Sequence, residues 1–226
     1  MEVVVIAEGQ TEELFIKRVV APALRGLKVY VKPILLNTSA DARGGAVSFD
    51  RFMFNARNLL AANPDQVLSC FLDLYKLDTA FPDFAAAIAL PNLTARVSRL
   101  NVALHSAVVQ RYHIRPERFI AHVQPHEFEG LLFADVAALV RIERDWAGNQ
   151  GTLAAIRGSV PTPEHINDGY ETKPSRRLET LLKPAYKKTR HGPLAAQEIG
   201  LPAIERECPH FKGWLDKLRS LGLKNL

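Results

Sequence analysis

The sequence predicts an α/β fold: about four parallel strands flanked by helices, followed by a helical C-terminal extension. Three observations point there. Short runs rich in valine, isoleucine and leucine alternate with helical patterns through the first half of the chain. Continuous apolar runs of this kind mark strands covered on both faces, as in a parallel sheet. Three of the four runs finish at or near an acid, and beyond about Glu127 the pattern is helical and loop-rich. Short connections between the alternating elements favour right-handed crossovers.

Strand one is Glu2 to Ala7, and it runs straight into Glu8-Gly9-Gln10-Thr11-Glu12. Gly9 is expected to let the backbone turn tightly, and Thr11 to cap a helix over residues 11–25 with Leu14, Phe15, Val19 and Val20 inward. Strand two is Val29 to Leu36, its alternation blurred by Lys32-Pro33, and residues 41–48 with Gly44-Gly45 form a loop. A helix over residues 49–62 is stopped by Asn63-Pro64-Asp65. Strand three, Val67 to Leu72, closes on Asp73. Phe84 to Tyr112 is helical around a break at Pro91, and strand four, Arg118 to Val123, ends near Pro125-His126. Trp214, Leu215 and Leu218 share one face of the last helix, which docks on the domain. The division expected is a core over 1–135 and a basic helical extension over 136–226, packed on it.

Composition narrows the class. The chain has 226 residues, 47% of them hydrophobic and 23% charged, which describes a globular protein with a sizeable core. Its apolar stretches are broken well short of the roughly 18 residues of a membrane span. Met1-Glu2 leads directly into a strand, which does not read as a secretory signal. Cys70 and Cys208 read as buried thiols of a cytoplasmic protein, and no paired Cys/His spacing indicates structural zinc. The formal charge of +5 is uneven: Lys173, Arg176, Arg177, Lys183, Lys187, Lys188 and Arg190 stand against Glu179 alone. Such a stretch is either a solvated helix face or a wall for an anionic substrate.

The carboxylates carry the chemistry. Glu8 follows strand one, Asp73 follows strand three, and His126-Glu127-Phe128-Glu129 follows strand four. In a parallel sheet these ends converge on one rim, where ligands of open α/β sheets gather. Carboxylates converging without lysine or arginine among them repel unless a hard divalent cation is bound, and magnesium, with oxygen ligands and retained water, suits that set. Singly each acid has a plainer reading. Asp73 also starts turns, His126 also sits at core edges, and Glu127 or Glu129 also belongs in the first turn of a helix. If that turn is helical, His126 and Glu129 share a face and Glu127 points elsewhere.

Several motifs together resemble a known family. They are Glu8-Gly9-Gln10-Thr11-Glu12, Asp73-Leu74-Tyr75 with Phe81-Pro82, and His126-Glu127-Phe128-Glu129-Gly130-Leu131-Leu132-Phe133. Lys173-Pro174-Ser175-Arg176, His191-Gly192-Pro193-Leu194, Cys208-Pro209-His210-Phe211 and Trp214-Leu215 extend the match over nearly the whole chain. The set is similar to the Toprim-like domain-of-unknown-function-4276 family, related to the Toprim domains of OLD-family nucleases, primases and topoisomerases. The resemblance implies a Rossmann-like Toprim sheet and a bacterial protein encoded beside an ABC-type ATPase that serves anti-phage defence. It implies acid/base or metal chemistry for Glu8 and binding of Mg2+ or Mn2+ by Asp73, with Glu127 or Glu129 completing the metal site; Glu12, and Lys173 and Lys187 from the basic stretch, stand beside Glu8 as catalytic candidates. Arg176, Arg177, Lys187, Lys188 and Arg190 would then grip nucleic acid. One departure stands out: Toprim enzymes carry Asp-x-Asp where this chain has Asp73-Leu74-Tyr75, with Asp78 the next acid, and a phenol is a poor magnesium ligand at neutral pH.

The leading expectation is a Mg-dependent nuclease acting on DNA or RNA with an ATPase partner. The alternative is a non-catalytic effector or sensor module that docks on such an ATPase, and a third reading is a small-molecule phosphohydrolase. His191 and His210 have the chemistry for acid/base work, but Gly192-Pro193 and Pro209 beside them equally suggest turn positions, and neither is taken as catalytic.

Overall fold

The computed structural model of the protein describes residues 1–36, 47–75, 77–166 and 169–223. Five strands, β1 (Glu2–Ala7), β2 (Tyr30–Leu35), β3 (Val67–Asp73), β4 (Phe119–Ile120) and β5 (Val123–Gln124), form an all-parallel sheet. The order is β2-β1-β3-β4, with β5 also pairing β3. Ala7 lies beside Leu35 and Phe71, and Asp73 beside Gln124, so the carboxyl ends share one rim. β2 is an edge strand, which is why Pro33, lacking an N–H to donate, fits within it. The Gly44-Gly45 loop of the sequence falls mostly outside the described residues.

Alternation along the strands makes two core layers. Val3, Val5, Ala7, Val67 and Phe71 face α1 (Gln10–Phe15), α2 (Ala21–Leu24) and much of the C-terminal half. That half contributes α6 (Val136–Leu139), α7 (Gln150–Gly158), α8 (Pro174–Leu181), α9 (Lys188–Ile199), α10 (Leu201–Glu207) and α11 (Pro209–Leu223). Val4, Ile6, Leu68, Cys70 and Leu72 face α3 (Phe49–Ala62), α4 (Phe84–Ile88) and α5 (Leu93–Tyr112). Burial on both faces accounts for the unbroken apolar runs of β1 and β3. Burial also pushes the Cys70 thiol up to about 12, and both cysteines are free and buried.

Two elements differ from the sequence reading. The first helix begins at Gln10, passes through a π-helical stretch (Ile16–Val20), and ends in a 3-10 turn (Arg25–Leu27). Its N-cap is Gly9, and Thr11 is buried inside the helix instead of capping it. The fourth strand is split into β4 and β5 around Ala121-His122. His122 still bonds β3 through its carbonyl to Leu72 N–H at 3.2 Å, while its ring is buried between Trp214 and His210, with centroids 5.0 and 5.1 Å away. The outer edge there is closed by side chains. Val123 N–H donates to Asn101 Oδ1 at 2.7 Å from α5, and Val123 O faces His210 Nε2 at 3.0 Å from α11. Those contacts cover edge groups that would otherwise template a further strand. His210 is therefore structural, and burial brings its pKa down to about 4.

α11 is held by two long-range devices. Glu164 accepts the N–H groups of His210 and Phe211, each at 2.9 Å, and so caps the helix from 46 or 47 residues away. Trp214 Nε1–H donates to Ser69 Oγ at 2.9 Å, and that hydroxyl donates to Ile120 O at 2.7 Å. Trp214→Phe is expected to cost about 1–2 kcal/mol by losing that bond and leaving a small void. Urea denaturation checks it; an unchanged midpoint would show that the bond adds nothing.

Candidate active site at the carboxyl rim

Two carboxylates fasten the rim together. Glu8, the first residue after β1, accepts Asp73 N–H through Oε2 at 3.0 Å. Asp73, the last residue of β3, accepts Phe128 N–H through Oδ1 at 3.0 Å. The chain reverses after β5 at His126, whose φ of 58° is left-handed and whose carbonyl accepts Tyr75 N–H at 2.8 Å. Glu127 then enters a 3-10 turn (Phe128–Ala134) that carries Glu129.

Glu12 joins Glu8 and Asp73 from the first turn of α1. Burial drives its pKa up to about 7 and the Glu8 charge adds to the rise, while its own N–H and that of Gly9 hold it back. This is the acidic half of a capping box, a helical carboxylate reaching back to the N-cap N–H. It also explains Gly9, whose φ of −143° any residue adopts. A Cβ there would stand 2.9 Å from Glu12 Oε2. Asp73 is raised well above the carboxylate range by burial first, then by Glu12, Glu8, Glu129 and Glu127.

A second cluster lies beside the first, and it contains lysines. Lys173 Nζ donates to Glu127 Oε1 at 2.7 Å; Ser175 N–H donates to Glu127 Oε2 at 3.0 Å and Ser175 Oγ to Oε1 at 3.1 Å. Lys188 Nζ reaches Glu127 Oε1 at 3.4 Å and Glu129 Oε2 at 3.3 Å, and Tyr186 OH donates to Glu129 Oε1 at 3.4 Å. The rim is thus not free of cations, as the strand-end acids alone imply. Glu127 and Glu129 also share a partner instead of pointing apart, because Glu127 is extended and the helical turn starts only after it. Burial pushes Glu127 up, yet Lys188, Lys173 and Ser175 prevail and its pKa falls below the usual range. Glu129, wholly buried, rises to about 7 from burial, against the pull of Lys188.

The structure brings Glu8, Glu12, Asp73, Glu127, Glu129, Lys173 and Lys188 into one constellation. The other cations go elsewhere. Arg176 pairs with Glu171 at 3.0 Å, Arg190 with Glu143 at 2.8 Å, Arg177 Nε donates to Thr172 O, and the Lys187 side chain is exposed. Asp78 accepts Ala80 N–H at 3.0 Å and Phe49 N–H at 3.4 Å, so it supports α3. Tyr75 lies under Lys173, whose Nζ is 4.2 Å from the ring centroid. His191 is a buried structural residue, its Nδ1 accepting Lys187 N–H at 2.9 Å.

Gly192-Pro193 lies inside α9 and not in a turn. A Cβ on Gly192 would meet Tyr186 OH at 2.8 Å, Thr11 Cγ2 at 3.0 Å and Phe128 Cε1 at 3.2 Å. The glycine lets α9 approach α1, and that approach delivers Lys188 to the acids. Gly192→Ala is expected to destabilise by about 1–2 kcal/mol, overcrowding outweighing the gain in helix propensity. A stabilised variant in a thermal melt would refute it.

Among the described residues, no group of three or more His, Cys, Asp or Glu is arranged to hold a metal ion. The chemistry that fits is more open. Glu8 and Asp73 offer two oxygen donors, each fixed by a backbone N–H, in surroundings where burial first and neighbouring negative charge second lift the Asp73 pKa. Magnesium is commonly held by one or two carboxylates, with water and substrate phosphate supplying the rest. Glu127 has its oxygens committed to Lys173, Ser175 and Lys188, which leaves Glu8 and Asp73 as the better donors. Ser175 and Tyr186 join this cluster without a sequence signal of their own: Ser175 lies inside Lys173-Pro174-Ser175-Arg176, and nothing local marks Tyr186.

The chain belongs to the DUF4276 family, described as a domain of unknown function, whose model matches residues 7–219. No curated protein matches it. Among solved structures it is similar to the C-terminal region of the Burkholderia pseudomallei OLD protein, at 15% identity and a TM-score of 0.49, over 97% of this chain and 98% of that one.

Proposed function

We propose that the protein is a Mg2+- or Mn2+-dependent nuclease that hydrolyses phosphodiester bonds of DNA or RNA. The observation that supports this reading best is the Glu8–Asp73 pair on one carboxyl rim, with Glu12 beside it. Glu8 and Asp73 would hold the cation, which supplies Lewis-acid polarisation of a phosphate oxygen. Glu12, whose pKa lies near 7, is matched to holding or releasing a proton at neutral pH. Lys188 offsets the charge of Glu127 and Glu129 and acts on Asp73. Lys173, fixed between Glu127 and the Tyr75 ring, would face a backbone phosphate. The buried free thiols fit a cytoplasmic protein, and by resemblance it works with an ABC-type ATPase in anti-phage defence; no described helix is long and apolar enough to cross a membrane.

A second reading, a non-catalytic module that docks on the ATPase, is favoured by Tyr75 standing where the resemblance places an aspartate. Calorimetry with magnesium and manganese comes first, on wild type, Glu8→Gln and Asp73→Asn. Binding lost in both variants, followed by metal-dependent cleavage of linear DNA or RNA, is the expected result. No binding at millimolar metal by folded protein would defeat the nuclease reading. Binding without cleavage, even with the ATPase added, would favour the module.

A further inference from the structure

Within the basic stretch of the sequence, Arg176, Lys188 and Arg190 are each paired with an acid. A group of arginines with no ion pair among the described residues gathers on the outer face of α3 and α5. Arg57 and Arg111 flank Tyr112, and both act electrostatically on its phenol. The Arg57 guanidinium sits 5.2 Å from the centroid of the Phe54 ring, and Phe54 is 56% exposed. These residues wall a hollow of about 530 Å3. An adjoining hollow of about 560 Å3 shares Arg57 and Tyr112 and adds Arg115 and Arg118. The acids on these walls are Asp50 and Asp65, so arginine charge outweighs them two to one.

A large exposed ring beside an arginine, within a net positive hollow, has a specific chemical complement. An unstacked base offers a flat π-face to Phe54, and its phosphates offer charge to Arg57 and Arg111. Duplex nucleic acid satisfies only the second demand, since its bases are stacked. We propose that the α3–α5 face binds single-stranded nucleic acid, with Phe54 as the stacking platform and Arg57 and Arg111 as phosphate contacts. The surface is separate from the carboxyl rim, and the proposal rests on the nucleic-acid reading of that rim.

The test is fluorescence anisotropy with a fluorescein-labelled oligothymidylate in metal-free buffer, on wild type, Phe54→Ala, Arg57→Glu/Arg111→Glu and the control Arg141→Glu, at an exposed arginine paired with Glu198. Phe54→Ala is expected to weaken binding about tenfold. The arginine pair should weaken it further and reduce the logarithmic salt dependence by about 1.4. Arg141→Glu should bind as wild type does. Phe54 and Arg57 are exposed, and thermal melts confirm that each variant folds. Wild-type hydrolysis of bis(p-nitrophenyl) phosphate reports the rim separately. If that diester is cleaved but wild type ignores the oligonucleotide, the α3–α5 proposal falls and the rim reading stands. If the diester is inert while oligonucleotide binding depends on Phe54, the rim reading falls and the hollow remains a binding surface. Equal binding by wild type and the Phe54 and arginine variants overturns the proposal. So does binding of poly-glutamate in preference to the oligonucleotide, which would identify an acidic protein as the partner.

Discussion

Lys188→Met is expected to lower stability by about 2–3 kcal/mol near pH 8, and by less near pH 6. The reason is the unequal burial of the three groups. Glu129 is fully buried and Glu127 nearly so, whereas the Lys188 side chain remains 39% exposed. Removing the lysine leaves charge buried without its counter-ion, a defect that costs about 3–5 kcal/mol in a dry site. Partial exposure of Lys188 reduces that figure. Lys173 does not replace it, because its charge is already engaged by Glu127 and its bonds do not extend to Glu129. Protonation limits the loss, since Glu129 has a pKa of about 7 even with the lysine present and becomes neutral readily without it. Adding Glu129→Gln to Lys188→Met should therefore recover much of the stability near pH 8. Urea denaturation of the four proteins of this cycle measures the coupling directly. A Lys188→Met protein as stable as wild type near pH 8 would mean that the cluster contributes no net stability through this pair.

The rim was legible where chain order alone decides position. β1 and β3 are short, apolar on both faces and end in Glu8 and Asp73, so parallel pairing is enough to bring those acids together. What closes around them was not legible, because it depends on contacts between distant segments. Lys173 meets Glu127 across 46 residues, and Lys188 meets Glu129 across 59. The basic stretch is visible in the sequence, but its pairing is not: Arg190 finds Glu143, and Arg176 finds Glu171. The split of the fourth strand has the same origin. No residue in 118–124 forbids a continuous strand; its edge is instead held by Asn101 and His210 from two helices. Thr11 and Gly9 show the local version of the problem. A threonine in that position commonly caps a helix, and here Glu12 reaches back to Gly9 instead.

The stability of the wild type between pH 4.5 and 7 is expected to reflect two opposing slopes, and Glu129→Gln should separate them. Glu129 and Glu12 have pKa values raised from 4.5 to about 7, chiefly by burial. Between those limits the folded protein holds protons that the unfolded chain has released, so stability falls as pH rises through the window and levels above it. A shift of that size corresponds to on the order of 3 kcal/mol for each group. The histidines work in the other direction. His210 falls from 6.5 to about 4 and His122 falls well below 6.5, both through burial. The unfolded chain binds protons there that the folded protein refuses, so stability falls as pH drops below 6.5. Glu127, with a depressed pKa, likewise contributes stability above 4.5 that is lost as pH falls through its folded value. Glu129→Gln removes one alkaline-side penalty and leaves every acid-side term in place. Its stability relative to wild type should thus rise by about 3 kcal/mol from pH 4.5 to above pH 7, a change readable in urea midpoints across the range. A constant difference between the two proteins over that range would show that Glu129 is ionised throughout, with Lys188 compensating its burial in full.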